Sequence, residues 1–141
     1  MAATSAEAEA GVRRTIASYG PLCDDGRFAE WADLFTPDAR MRVMGRTYQG
    51  RDAVRAFIER GQPPERRGKH LCAAPVIEID DSGRTARAWV DFVFVDRHRA
   101  ITSVGRYHDE LELGDDGRWR FTWREIVFLG DQPEQTGPPP G

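Results

Sequence analysis

A histidine at position 70 opens the apolar run HLCAAPVIEI, directly after the charged, proline-broken segment GQPPERR. Imidazole titrates near neutrality, so His70 is a candidate general base; it is equally readable as a half-buried ring satisfied by its neighbours. Tyr19 and Asp24, in YGPLCDD, could supply the company that chemistry requires. Asp24 and Asp25 also suit a turn or a helix cap, and either could be the carboxylate that orients the imidazole. Asp91 interrupts the apolar string AWVDFVFV, where a carboxylate needs a cavity or a partner. Arg124 sits among aromatic and aliphatic residues in WRFTWREIVFL and could pair with a carboxylate of a neighbouring strand, either as a buried salt bridge or as an anchor for an anionic group. Alternation in GRYHDELEL puts Tyr107 and Asp109 on an inward face, lining a hollow or fixing Arg124, and puts His108 toward solvent or an interface. His98, in DRHRA, falls in a turn. Trp31, Trp89 and Trp123 are flat apolar surfaces suited to a ring-shaped ligand.

The sequence has no glycine-rich phosphate loop, no Gly-x-Ser-x-Gly elbow, no Cys-x-x-Cys pair and no His-Glu-x-x-His helix, so it calls for no cofactor and no metal. A formal charge of −3 with acidic and basic residues interspersed offers no basic face to nucleic acid or to a membrane surface. Two cysteines and an N-terminal stretch without an apolar run make the cytoplasm the default location.

The elements that must position these residues follow from periodicity. Ala8, Val12, Ile16 and Tyr19 recur at helical spacing from Ser5, a plausible N-cap, with Gly20 and Pro21 expected to end the helix. RFAEWADLF predicts a short second helix, followed by a turn at TPDA. A hairpin in ARMRVMGRTYQG and a third, amphipathic helix in RDAVRAFIERG come next. The remainder predicts antiparallel strands at about residues 69–80, 85–96, 99–113 and 118–129. One α+β domain over 1–130 results, a cone-shaped curved sheet with about three helices enclosing a pocket, and the proline- and glycine-rich tail 131–141 is expected to fray.

YGPLCDDGRFAEWADLFTPDARMRV, YQGRDAVRAFIERG, KHLCAAPVIEI and GRYHDELELGDDGRWRFTWREIV together resemble the SnoaL-like family of the ketosteroid isomerase and nuclear transport factor two-like superfamily. The branch most similar is that of scytalone dehydratase and bile-acid 7α-dehydratase. The resemblance implies a homodimer and a catalytic set of Tyr19, Asp24, His70, Asp91 and Arg124. Asp109 is an alternative to Asp91; Tyr107, Asp109, Trp31, Trp89 and Trp123 would contact substrate. The implied activity is a cofactor-independent lyase or isomerase acting by proton abstraction on a small apolar cyclic hydroxy-carbonyl compound, most simply by dehydration. A polyketide cyclase, an epoxide hydrolase built on Asp91, Asp109 and Arg124, and a noncatalytic ligand-binding or assembly subunit are the alternatives.

Overall fold

Residues Ser5–Asp24 form helix α1 in the computed structural model, which describes residues 4–133. Thr4, not Ser5, is the cap: its side chain accepts a hydrogen bond from the Glu7 amide at 3.2 Å. The helix does not end at Gly20 and Pro21. Pro21 faces outward, so the backbone bond it forgoes falls on the solvent side, while Tyr19, Gly20, Cys23 and Asp24 are all buried and hold the last turn against the protein. The extra turn matters, because it keeps Tyr19 and Asp24 on one rigid element.

Helix α2 (Phe28–Ala32) is shorter than its pattern suggests, and TPDA is not a turn but the irregular start of strand β1 (Phe35–Val43), where the register shifts between Phe35 and Arg40. Met44 and Gly45, both at positive φ, make the tight turn into β2 (Arg46–Gln49). Helix α3 (Arg51–Gly61) follows as its pattern requires, burying Val54 and Ile58. The expected long strand from residue 69 is split by Ala73, Ala74 and Pro75 into β3 (Lys69–Cys72) and β4 (Val76–Ile79), both paired to β5 (Thr85–Val95). Strands β6 (Ile101–Leu113) and β7 (Trp119–Phe128) complete the sheet.

The strand order is β2-β1-β7-β6-β5-β3, with β4 beside β3 on β5. Among the described residues the pairings are antiparallel except β1 with β7, which is parallel. The sheet is curved and unclosed, and the helices lie on its concave side. Two glycines set how closely α1 approaches: a Cβ on Gly11 would sit 2.5 Å from the Trp119 ring, and one on Gly20 would sit 2.9 Å from the His70 carbonyl oxygen. Thr15 fastens the same helix by donating to the Trp119 carbonyl at 2.6 Å.

Inward residues grade from packed to open along the strands. Ala86, Ala88, Val90, Tyr107, Leu111 and Phe121 are buried with α1 in one core, whereas Phe94, Ser103 and Phe128, farther along the same face, are half-buried. Of the predicted tail 131–141, residues 134–141 lie outside the described residues.

Candidate functional site

The end of α1 and the start of β3 meet where that grading changes. His70 Nδ1 lies 2.6 Å from Asp24 Oδ1, and the His70 backbone amide donates to Asp24 Oδ2 at 3.0 Å. Both carboxylate oxygens are therefore committed to one residue. An ionised carboxylate only accepts, so the imidazole must carry its proton on Nδ1, which leaves Nε2 as the nitrogen able to take a proton. The His70 side chain is 10% exposed and that of Asp24 3%. The ring packs 4.7 Å from Phe94 and edge-on to Tyr19 at 6.1 Å. His70 also lines a cavity of about 280 Å³ with Ile16, Ala17 and Gly20 of α1 and the residues that follow it in β3. Asp25, the other carboxylate considered, is exposed and serves as the C-cap of α1.

A second ionic pair lies deeper. Arg124 binds Asp109 through Nε and Nη2, each at 2.7 Å, with both side chains at 0% exposure. The guanidinium is enclosed by the faces of Tyr107, Tyr19 and Phe121, with ring centroids at 3.8, 4.2 and 4.3 Å. Burial pushes the Asp109 carboxyl above the usual carboxylate range, against the pull of Arg124. For Arg124 burial acts to lower the pKa, but the charge and bonds of Asp109 outweigh it and hold the guanidinium above its ordinary value. Two short parallel bonds to an acceptor are the geometry of an ionised pair.

Burial also raises the Tyr19 and Tyr107 phenols far from ionisation. Tyr19 is accordingly a hydrogen-bond donor at neutral pH, not a base. Beside it, Trp31 Nε1 and Arg124 Nη1 are buried donors without a partner. Cys23, Asp24 and His70 present ligand atoms within 4.8 Å of one another, a spacing that a metal ion could use. The chemistry of the set argues against it: burial pushes the Cys23 thiol up to about 12, and Asp24 is already bonded twice by His70.

Tyr19, Asp24 and His70 are thus brought together, and Arg124, Tyr107 and Trp31 lie next to Tyr19. Asp91 is not. It points to the outer face of the sheet, is exposed, and pairs with Arg106 at 2.6 Å; the carboxylate on Arg124 is Asp109. Because AWVDFVFV is apolar on both faces, its composition gives no phase, and a slip of one residue reverses the side. The same phase removes Trp89 and Trp123 from the substrate set, since both lie on the outer face, Trp89 opposite His108 and Trp123 opposite Glu110. His108, expected on the face toward solvent or an interface, does lie on the outer face, where it is buried beside Trp89. With Asp91 on the other side of the sheet, the Asp91, Asp109 and Arg124 cluster needed by an epoxide hydrolase does not form. Phe94 was missed as a neighbour of His70; the cross-strand pairing His70 with Phe94 is the signal, and it is visible only once β3 is set against β5.

A family model described as the SnoaL-like domain matches residues 4–125. No curated protein matches the chain. Similar solved structures include an NTF2-like protein with a cystatin-like fold from Novosphingobium aromaticivorans, 26% identical, with a TM-score of 0.78 over 88% of this chain and 83% of that one. A protein of the same organism provisionally named scytalone dehydratase is 24% identical, with a TM-score of 0.74 over 94% and 93% of the two chains. The beta subunit of a provisionally named aromatic-ring-hydroxylating dioxygenase, again from that organism, is 20% identical, with a TM-score of 0.71 over 89% and 90%.

Proposed function

The chain belongs to the SnoaL-like domain family, and on that premise we propose that it is a cofactor-independent lyase or isomerase for a small apolar cyclic hydroxy-carbonyl compound. The observation that carries this reading is the Asp24 to His70 hydrogen bond of 2.6 Å at the border between packed and open interior. His70 Nε2 takes a proton from the carbon beside the substrate carbonyl. Asp24 holds Nδ1–H and stabilises the imidazolium that forms. Tyr19, kept protonated by burial, donates to the developing enolate oxygen. The electron pair left on carbon then forms the double bond as hydroxide departs, and the imidazolium proton completes a molecule of water.

The partner in this reading is a steroid-, polyketide- or terpenoid-like molecule, not nucleic acid or a membrane surface, and the working form is a homodimer in the cytoplasm. No helix among the described residues is long and apolar enough to cross a membrane, and Cys23 and Cys72 are free thiols. Sedimentation of the intact chain tests the dimer, and subcellular fractionation the location. The reaction is tested by incubating the protein in D₂O with cyclic hydroxy-ketones and following water loss and deuterium uptake at the α-carbon. Turnover that disappears in His70→Gln supports the reading; deuterium uptake that survives this substitution sinks it.

One observation favours a second, noncatalytic reading as a ligand-binding or assembly subunit. The interior around Arg124 is filled, with Tyr19, Trp31, Tyr107, Asp109 and Arg124 all at 1% exposure or less. Binding of the same ketones without isotope exchange would select it. A polyketide cyclase would use the same His70 and Asp24 and would differ only in its product.

A further inference from the structure

A single side-chain hydrogen bond fixes the tautomer of His70 but leaves its ring free to swing about the bond to Asp24. The strand that carries it is short and ends the strand order, so among the described residues β5 is its only neighbour in the sheet. The other edge of β3 faces α1, where the His70 amide donates to Asp24 Oδ2 at 3.0 Å. An amide spent on Asp24 does not donate to Phe94, its partner in β5, and the two residues therefore form a non-hydrogen-bonded pair. Alternation agrees: the Ala73 amide, three residues on, does donate across to the Asp91 carbonyl at 2.9 Å.

Side chains of a non-hydrogen-bonded pair approach most closely. The imidazole and the Phe94 ring accordingly lie with centroids 4.7 Å apart, inclined at 40°. Gly68 makes room for this, because a Cβ there would sit 3.0 Å from Phe94 Cζ. Phe94 is half-buried and stands outside the apolar core cluster, and His70 is its one ring contact among the described residues. An aromatic side chain that is spent on an imidazole and not on the core calls for a role at the imidazole.

We propose that Phe94 is a positioning residue for His70: its face holds the plane of the ring, so that Nδ1 stays on Asp24 and Nε2 keeps one direction. The effect on turnover rests on the acid–base reading of His70. The effect on the ring does not.

The test compares Phe94→Ala and Phe94→Leu with the parent chain, by the Nδ1–H and imidazole ¹⁵N spectra of the intact protein without ligand and by kcat and KM for water loss from hydroxy-ketones. Phe94→Ala should broaden the Nδ1–H resonance through exchange with water and mix the two tautomers. It should lower kcat by about 10- to 100-fold with KM unchanged, since misplacing a reacting group by about 1 Å can cost about 10²-fold. Phe94→Leu returns bulk without a flat face and should recover only part of both, and it carries the test where Phe94→Ala does not fold. A sharp Nδ1–H resonance with unchanged kcat in the variants would overturn the proposal. So would a rise in KM alone, which would make Phe94 a substrate contact. If the parent chain turns over no hydroxy-ketone, the lyase reading fails by itself and the spectra still decide: a broadened resonance sustains the role of Phe94, and a sharp one ends it.

Discussion

Two pairs of a carboxylate with a nitrogen base lie against the Tyr19 ring, and they differ in what they leave uncommitted. Asp109 and Arg124 are wholly enclosed, bonded bidentately and held among three aromatic faces. Asp24 and His70 are bonded just as tightly on one side, yet the imidazole keeps its second nitrogen, and His70 is among the residues lining a cavity between α1 and β3. The first arrangement spends its polarity on holding β6 to β7. In the second, a hydrogen bond fixes the tautomer and leaves a lone pair for a reaction. Tight pairing alone is therefore no sign of catalysis; the sign is a tight pair with one free valence beside open space.

The largest effect that would break the comparison is on stability. Removing Asp109 with Asp109→Ala strands a buried guanidinium, and breaking such pairs costs about 3–5 kcal/mol. Chemical denaturation should show that loss. The double replacement Asp109→Leu with Arg124→Met should recover most of it, since no charge is then left buried. If Asp109→Ala unfolds no more easily than the parent protein, the enclosed pair is not the structural tie described.

His70 should behave in the opposite way. His70→Gln is expected to cut turnover by about 10²- to 10⁴-fold, the usual worth of a placed acid or base, with a much smaller loss of stability than Asp109→Ala. Asp24→Asn should also lower turnover and should abolish the strongly deshielded Nδ1–H resonance that a 2.6 Å bond to a carboxylate gives. A variant that keeps that resonance and loses activity would place the role of Asp24 elsewhere.

How much of this was legible follows the same division. Tyr19, Asp24 and His70 lie at ends of elements, where helical spacing and the break at Gly61 to Gly68 mark their positions without any knowledge of strand register. Pro21 misled about where α1 ends, because a proline on the solvent side of a helix costs less than its type suggests. Alternation in β6 put Asp109 on the inward face as a partner for Arg124, and the structure pairs the two; Asp91 and Trp89 depend on the phase of β5, which carries apolar residues on both faces, and Trp123 on that of β7, so their side of the sheet could not be read. The parallel contact of β1 with β7 joins distant segments and has no local signal. Burial of His108 on an outer face was unreadable for the same reason: its neighbours Trp89 and Glu125 come from other strands.

High pH sharpens the contrast between enclosed and exposed groups. Burial raises Cys23 to about 12 and lifts Tyr19 and Tyr107 above their ordinary range. A raised pKa in the folded state means that the folded protein holds its proton more tightly than the unfolded chain. The stability from Cys23 is then complete below the unfolded thiol value near 9 and drains away as pH climbs from there toward 12, and the two phenols add to the loss above about 10. Thermal melts should show a falling midpoint across that window. At pH 8 a thiol reagent should modify Cys72, which is exposed, well before Cys23, which is buried. Equal rates at both would mean that the end of α1 opens readily, and that the Asp24–His70 pair it carries is not held as drawn.

The smallest expected effect belongs to the carboxylate that looked buried in the sequence. Asp91 and Arg106 meet at 2.6 Å, but with side chains 61% and 46% exposed. Water screens such a pair, and exposed ion pairs contribute about 0–1 kcal/mol. Asp91→Asn should therefore shift the denaturation midpoint barely at all, whereas the same exchange at Asp109 deprives Arg124 of its counter-charge where both side chains are fully enclosed. The two aspartates differ in little that composition records. Measured side by side, Asp91→Asn and Asp109→Asn isolate the contribution of the sheet face alone, and comparable losses at the two positions would show that the strand phase assigned to β5 is wrong.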